Sequence, residues 1–274
     1  MRYDPVKEKI GRVVGSSVWL RVLFYRLLDT LLLRTWHVRK AVRRFAEENR
    51  NSEISVLDAG SGFGQYVWRI HRQNPEWKIT GVDLKEEQRS DCTAFFQKAG
   101  AGTAVSFETA DLTQFNRPDT YNLILSVDVM EHIEDDRTVF RNLFSSLLPG
   151  GWLIISTPSD QGGSDVHHEG DHSFIEEHVR DGYSITEISG KLSEAGFASV
   201  TPRYTYGIPG GIAWKLTMKI PVTLLNLSWL TAPLLLPWYM LVIIPSLILN
   251  YADTIIRHRR GTGLLVIAKK DQTR

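Results

Sequence analysis

Three glycines beside an acid give this sequence its clearest chemical signal. Gly60, Gly62 and Gly64 occupy alternate positions after Asp58, and the apolar run 54–57 precedes them. The pattern predicts a buried strand, a tight turn and the start of a helix. Glycine allows a sharp bend and a ligand approach that a Cβ would block, and the helix start adds unpaired N–H groups. The turn is therefore a candidate site for a ligand.

A second acid strengthens this interpretation. Asp83 follows Gly64 by nineteen residues and ends a second strand-like run, 77–84. An acid at the tip of the strand beside a glycine turn can accept both ribose hydroxyls of a nucleoside. A nucleoside-containing ligand is therefore expected.

Strand and helix patterns then alternate to about residue 160, which predicts a parallel sheet with helices on both faces. Further strands are expected at 104–109, 121–128, 152–156, 197–206 and 263–268, and helices near 64–74, 86–99, 134–147 and 184–195. In order and spacing, the segments from 52 to 206, with the last strand, resemble a class I S-adenosylmethionine-dependent methyltransferase of the small-molecule type found in quinone biosynthesis. The resemblance implies a doubly wound, seven-stranded Rossmann-like α/β sheet whose strand 7 lies antiparallel beside strand 6.

The resemblance also implies the cofactor, S-adenosyl-L-methionine, its product S-adenosyl-L-homocysteine, and the residues that bind them. Asp58 would orient the turn or take the cofactor ammonium through a water, Asp83 would bind ribose, Leu84 would pack on adenine, and Asp111 would accept from the adenine amino group. The glycine turn would hold the methionine part, and 126–128 would line the floor near the sulfonium. The full cofactor set is Asp58, Gly60, Ser61, Gly62, Gly64, Asp83, Leu84, Ala110, Asp111, Leu112, Ser126, Val127 and Asp128.

Two other functions remain open. A nicotinamide-dependent oxidoreductase is disfavoured because Gln65 replaces the third glycine position of the turn, and because the one Tyr-x-x-x-Lys, Tyr3 to Lys7, lies upstream of the turn. A membrane-recruited protein could also keep the fold as an S-adenosylmethionine-binding module without methyl transfer.

Histidines are the candidate bases, because an oxygen or carbon nucleophile must lose a proton near neutral pH. His132 follows the fourth strand, and a histidine-rich stretch, 167–172, lies in the loop after the fifth. The candidates for catalysis are His132, His168, His172 and His178. A metal could bind the stretch, but its spacing matches no standard ligand motif, so no metal site is predicted.

Charge is distributed unevenly along the 274 residues, although the net charge is +1. Residues 1–50 carry +7, 51–206 carry −12 and 207–274 carry +6. The acidic middle would repel phosphates, which argues against a nucleic-acid partner. One cysteine, Cys92, excludes an internal disulfide and fits a reducing compartment.

The N-terminal region predicts two helices, over 13–33 and 36–48. The first is apolar but interrupted by arginines, and no cleavage site follows it, so we do not expect a signal peptide. It either lies at a bilayer interface or covers the substrate pocket.

A run of thirty-three uncharged residues, 220–252, is flanked by basic residues and contains four prolines. If strands 6 and 7 are neighbours, this insert must leave and return on the same side, which excludes a single membrane crossing. Two helices of ~16 residues, ~24 Å each, are too short to cross comfortably. We therefore predict a monotopic hairpin dipping into one leaflet, its basic flanks among anionic lipids on the cytoplasmic side. A lid or dimer contact in a soluble protein is the alternative.

These arguments divide the chain into an N-terminal helical cap (1–50), the cofactor-binding core (51–206), the hydrophobic insert (207–260) and a final strand with a tail (261–274). The insert leaves the sheet at its ligand-binding edge. We therefore predict methyl transfer to O or C of a lipophilic, membrane-associated small molecule, either quinone-like, aryl-polyene or another lipid. The oligomeric state is left open.

Overall fold

The computed structural model describes residues 17–50, 53–162 and 179–272, and within them a seven-stranded sheet forms the centre. The strands are β1 Ser55–Ala59, β2 Lys78–Asp83, β3 Val105–Thr109, β4 Tyr121–Val127, β5 Leu147–Pro158, β6 Ser199–Thr205 and β7 Gly263–Lys269. Their order is β3-β2-β1-β4-β5-β7-β6. β7 runs antiparallel to both β5 and β6, and the pairs among β1 to β5 are parallel. The predicted doubly wound sheet and its reversed last strand are confirmed.

Helices cover both faces of the sheet. They are α1 Val18–Leu31, α2 Leu33–Glu48, α3 Gln65–Gln73, α4 Glu86–Lys98, α5 Asp136–Ser146 and α6 Ile185–Ala195. Alternation along the strands sends Val56 into the apolar layer under α2, α3 and α4, and Leu57 into the layer under α5 and α6. The four core helices lie within about two residues of the predicted bounds, because their apolar faces and their ends are both marked in the sequence.

One helix end shows how local sequence sets a boundary. The Ser184 hydroxyl accepts a hydrogen bond from the Glu187 backbone N–H at 3.0 Å, which caps the start of α6. Gly196 ends the same helix with φ +112°, a conformation that glycine adopts without a Cβ penalty.

The predicted apolar insert forms a helical hairpin between β6 and β7. Its first arm contains α7 Ile208–Trp214, a π-helical turn Lys215–Lys219 and α8 Ile220–Leu227, and its second arm is α9 Ala232–Ile255. The arms contact each other through hydrogen bonds from Trp238 Nε1 to the Leu216 carbonyl (2.9 Å) and from the Tyr239 hydroxyl to the Thr217 carbonyl (2.7 Å). Both arms are longer than the predicted ~16 residues, because helix begins at 208 and continues to 255, beyond the uncharged run.

The outer surface of this hairpin is apolar and exposed. Leu230 is 89% exposed, Leu236 72% and Met240 74%. Among the described residues one helix, Ala232–Ile255, is long and apolar enough to cross a membrane, by length and composition alone. Its most apolar 18-residue stretch has a mean hydropathy of 2.0, and 11% of that stretch is buried.

A buried acid anchors the hairpin to the core. Asp253, near the end of α9, is 0% exposed, and its carboxylate accepts from the backbone N–H groups of Gly207 (2.9 Å) and Gly210 (3.1 Å) at the start of α7. The same carboxylate lies 2.9 Å from His37 Nε2 of α2 and 3.0 Å from His258 Nε2. One side chain therefore joins both ends of the hairpin to the N-terminal helices.

Candidate functional site

The glycine turn joins β1 to α3 at the carboxyl edge of the sheet, and all three predicted glycines have left-handed backbone. Their φ angles are +89° at Gly60, +50° at Gly62 and +76° at Gly64. A Cβ on Gly60 would lie 2.2 Å from Val129 Cγ2, whereas a Cβ on Gly62 would meet nothing closer than 3.9 Å. Gly60 is thus required by packing, and Gly62 leaves open space above the turn.

Asp83 lies directly beside this turn, at the end of β2. Its carboxylate accepts from the Gly62 N–H at 2.9 Å and from the Lys85 N–H at 3.0 Å. The Gly60 and Ser61 N–H groups donate to the Val82 carbonyl at 2.8 and 2.9 Å. The turn and the ribose-binding candidate therefore form one hydrogen-bonded unit.

Two buried polar side chains lie at the base of the site, at the ends of the central strands. Asp58 is 1% exposed and Ser126 0%, and neither Asp58 Oδ2 nor Ser126 Oγ has a hydrogen-bond partner. Burial, and then the Asp83 carboxylate, raise the pKa of Asp58 to about 7. Unpaired buried polar atoms are unusual in native structures and are often found where a ligand binds.

The candidate adenine contacts lie at the ends of β2 and β3. Leu84 is 69% exposed, and Asp111 is exposed, with its side chain accepting from the Thr113 N–H at 2.8 Å. Ala110 is half-buried, and Leu112 is buried in the apolar layer below. Their adenine roles stay predictions.

Beside the cofactor candidates lies a polar cluster that sequence reasoning missed. The Arg34 guanidinium pairs with Asp128 after β4, and the backbone N–H of Arg34 donates to the Tyr206 hydroxyl at 3.1 Å. The Tyr66 hydroxyl lies 3.4 Å from Thr35 Oγ1 on the same helix as Arg34. Asp128 and Tyr206 both have φ of +53°, and a left-handed tyrosine is uncommon enough to indicate a functional position. In the sequence, the only signal that could have pointed to a role for Arg34 is the presence of charged residues in the N-terminal helix that carries it.

The segment after β4 carries a second acid. Glu131 is 1% exposed and accepts from the Thr157 hydroxyl at 3.0 Å. Burial, and then the nearby Asp128 charge, raise its pKa to about 8. His132 follows it in a short 3₁₀ turn, Met130–His132, and is partly exposed. Glu131 is thus a proton-carrying group near neutral pH that sequence reasoning did not select.

The other three histidine candidates, His168, His172 and His178, lie outside the described residues, so their roles stay predictions. Within 17–50, 53–162 and 179–272 there is no group of three His, Cys, Asp or Glu residues that could hold a metal ion.

The first N-terminal helix holds the glycine turn from behind. Arg21, 3% exposed, donates to the Phe63 carbonyl at 2.8 Å, and the Tyr25 hydroxyl donates to the same oxygen. The Cys92 thiol lies 3.4 Å from the Gly62 carbonyl. The buried Cys92 side chain therefore packs under the turn. Whether α1 also contacts a bilayer stays a prediction.

The chemistry of these groups fits S-adenosylmethionine. The open space above Gly62 leaves room for a ligand beside the glycine backbone. Two acids held by backbone N–H groups, and the buried Asp58 with an unpaired oxygen, offer acceptors for a ribose and an ammonium. Together with the reversed strand 7, they define a class: a doubly wound, nucleoside-binding α/β sheet of the Rossmann-like methyltransferase type.

Comparison with known proteins agrees. A family model described as a methyltransferase domain matches residues 33–201, and the chain belongs to that family, whose cofactor here is S-adenosylmethionine. Phosphoethanolamine N-methyltransferase of Triticum aestivum is 32% identical over 146 residues, 53% of this chain and 28% of that protein. Ubiquinone biosynthesis O-methyltransferase of Rickettsia conorii is 24% identical over 109 residues, 40% of this chain and 36% of that protein.

A solved structure of Haemonchus contortus phosphoethanolamine N-methyltransferase 2, in complex with S-adenosyl-L-methionine, superposes with a TM-score of 0.58 at 17% identity. The match covers 84% of this chain and 52% of that one, and it shows the shared fold. The matched parts of the curated relatives amount to about a third of their length, and the insert between β6 and β7 lies outside the matched family region.

Proposed function

We propose that this protein transfers a methyl group to O or C of a lipophilic small molecule held at the cytoplasmic face of a membrane. The observation that carries the proposal is the position of the apolar hairpin. Thr205, the last residue of β6, pairs with Gly263, the first of β7, at the edge of the sheet where the glycine turn lies. The hairpin between them therefore begins and ends beside the site, and an acceptor in the bilayer would have a short path to it.

S-adenosylmethionine, when bound, supplies an electrophilic methyl carbon on a sulfonium. The residues of this chain would hold and orient it: the glycine turn would face the methionine part, Asp83 the ribose and Asp58 the ammonium. Methyl transfer mainly requires alignment and a dry pocket. Arg34, paired with Asp128, brings the N-terminal cap over the floor of the site.

A proton must also leave the acceptor if the nucleophile is a phenol or an electron-rich ring carbon. His132 would act as a base, as would His168, His172 and His178, which lie outside the described residues. Glu131 joins them because it is buried next to His132, accepts from the Thr157 hydroxyl, and has a pKa that burial raises. The two relatives act on different atoms according to their names, one on nitrogen and one on oxygen. The methylated atom in this chain is therefore open to experiment.

Fractionation tests the membrane part of the proposal. The full chain is expected to sediment with membranes or anionic vesicles, and the deletion of 212–252 to stay in solution. Because that deletion could unfold the core, a triple variant, Leu230→Asp, Leu236→Asp and Met240→Asp, places charges on the exposed face alone. Trp19→Asp on α1, 68% exposed, is the matched variant that tests the alternative interfacial helix. If the full chain and the triple variant both stay soluble without detergent, the anchor is wrong and the hairpin is a lid or a dimer contact.

Binding of S-adenosylhomocysteine and turnover test the catalytic part. Tight cofactor binding without methyl transfer to any membrane extract would favour the alternative of a binding module. Stabilisation by a nicotinamide dinucleotide rather than by S-adenosylmethionine in a thermal-shift comparison would favour an oxidoreductase.

A further inference from the structure

A second cleft opens where the first arm of the hairpin leaves the sheet. It has a volume of about 670 Å³ and lies between α7 and the loop that enters β7. Tyr206 lines it, and the hydroxyl of the same residue accepts from the Arg34 N–H. The cleft thus adjoins the Arg34–Asp128 pair that covers the cofactor candidates.

The lining of this cleft has two chemical halves. Ile208, 82% exposed, and Ile212, 44% exposed, form an apolar side that continues onto the apolar surface of the hairpin. Lys215 and Arg260 form a cationic side, and no carboxylate occurs among the described residues that line the cleft. Arginine and lysine side chains that converge on a cleft form charge-assisted hydrogen bonds with phosphate or carboxylate groups.

The cleft is open beside one of its glycines. A Cβ added to Gly211 of α7 would meet no atom within 4 Å, although Gly207 and Gly261 in the same lining have no such room. At Gly207 a Cβ would lie 2.2 Å from His258 Nδ1, and at Gly261 2.2 Å from the Thr205 carbonyl. Packing therefore accounts for Gly207 and Gly261, whereas Gly211 faces empty space inside a helix, where glycine is otherwise unfavourable.

We propose that this cleft binds the methyl acceptor as an anionic amphiphile, with its negative head group between Lys215 and Arg260 and its apolar chain along Ile208 and Ile212 toward the bilayer. The inference rests on the proposed function and deepens it, since a lipophilic acceptor need not carry a charge. It places the head group next to Tyr206, on the side of the cleft that leads to Asp128.

The test uses dodecyl phosphate below its micelle concentration, titrated into the full chain by calorimetry. Wild type should bind it saturably, and the double variant Lys215→Gln, Arg260→Gln should weaken binding about tenfold or more. Gly211→Leu should weaken it to a similar degree by filling the cleft, with the fold retained because leucine favours helix. Arg259→Gln, an exposed arginine next to Arg260 that does not line the cleft, should change binding less than about twofold.

Besides an absence of dodecyl phosphate binding, three results would overturn the proposal. Dodecyl maltoside, a neutral amphiphile, could bind as tightly as dodecyl phosphate. Arg259→Gln could weaken binding as much as the double variant, which would indicate a diffuse charge effect. Inorganic phosphate could bind as tightly as dodecyl phosphate with the same dependence on Lys215 and Arg260, which would make the cleft a site for free phosphate.

Affinity for S-adenosylhomocysteine, measured on the same samples, separates this inference from the proposed function. Normal cofactor binding and membrane sedimentation with no dodecyl phosphate binding would refute the cleft alone. Loss of cofactor binding in wild type would refute the methyltransferase proposal instead.

Discussion

Replacing Asp58 with asparagine should make the protein more stable at alkaline pH and at the same time weaken cofactor binding. The folded pKa of Asp58 is about 7, because the side chain is buried and lies near Asp83, against an ordinary value of 3.8. Between these values the folded state binds more protons than the unfolded state, so wild-type stability falls as pH rises through this window. Asparagine cannot ionise, so the part of this fall that Asp58 contributes should disappear.

The magnitude follows from the shift. One pKa unit corresponds to about 1.4 kcal/mol, so ionisation of Asp58 should cost wild type on the order of 2 kcal/mol between pH 5.5 and 8. The difference in unfolding free energy between Asp58→Asn and wild type should therefore grow by about that amount over the same range. Urea unfolding at several pH values measures it. Glu53→Gln, at an exposed carboxylate, should stay within about 0.5 kcal/mol of wild type throughout.

Cofactor binding should change in the opposite direction. An ammonium near Asp58 favours the ionised form of the carboxylate, so the affinity of wild type for S-adenosylhomocysteine should rise between pH 6 and 8. The affinity of Asp58→Asn should be about tenfold lower than that of wild type at pH 8 and should not show this rise. A stability difference that stays flat from pH 5.5 to 8, together with unchanged affinity, would refute both the buried charge and its role at the ammonium.

The remaining predictions concern the cap, the base and the hairpin anchor. Arg34→Gln should lower kcat/KM at least about tenfold while changing stability by less than about 1 kcal/mol, since its pair with Asp128 is partly exposed; a larger loss of stability than of activity would contradict this role. His132→Gln should lower kcat about a hundredfold with unchanged cofactor affinity, and unchanged turnover would remove His132 as a base. Burial lowers the pKa of His37, so the contribution of His37 to stability should rise with pH up to about 6.5, and the difference in unfolding free energy between wild type and His37→Gln in pH-dependent melts should show that rise. Asp253→Asn should cost about 3–5 kcal/mol, because it breaks a buried charge cluster, and a cost under about 1 kcal/mol would show that the hairpin is anchored elsewhere.

The sheet could be predicted from the sequence because each of its strands carries its own signal. Several apolar runs end in acids or glycines at the carboxyl edge, and the core helices between strands have an apolar face of 3.6-residue period. The glycine turn was recognisable for the same reason, since Gly60 and Gly62 require left-handed backbone. Local chemistry determines these elements, so a local pattern reveals them.

The contacts around Asp128 could not be predicted in this way. Arg34 lies ninety-four residues from Asp128 and Tyr206 another seventy-eight further on, and no periodicity links an arginine on an N-terminal helix to the loop after β4. Asp253 is a similar case: it directly follows the uncharged run in the sequence, and the fold buries it against His37. Tertiary packing brings these groups together, and only the folded chain shows which charges are paired.

The hairpin lengths were underestimated because charge, rather than helicity, set the expected limits. The uncharged run covers 220–252, but α7 begins at Ile208 and α9 continues to Ile255. Four prolines suggested breaks, yet the structure accommodates Pro237 and Pro245 within α9. At 1.5 Å per residue, the twenty-four residues of α9 extend about 36 Å. Helix length is therefore a weaker argument against a deep insertion than the sequence indicated. The prediction that the chain returns on the same side rests instead on the topology of the sheet.

That argument depends on where the chain leaves the sheet. Because β7 runs antiparallel between β5 and β6, the β6–β7 connection starts and ends at one edge, with Thr205 and Pro158 both paired to Gly263. Any segment inserted there leaves and re-enters the sheet at the edge where the glycine turn lies, whatever its length. If the hairpin enters a leaflet, an even number of passes is then required. The Asp253 carboxylate, carried by the second arm and bound to the backbone of Gly207 and Gly210 at the first, holds both arms at that edge. In the proposed function, a methyl acceptor that follows the apolar face of either arm would reach the same place, the cleft beside Tyr206.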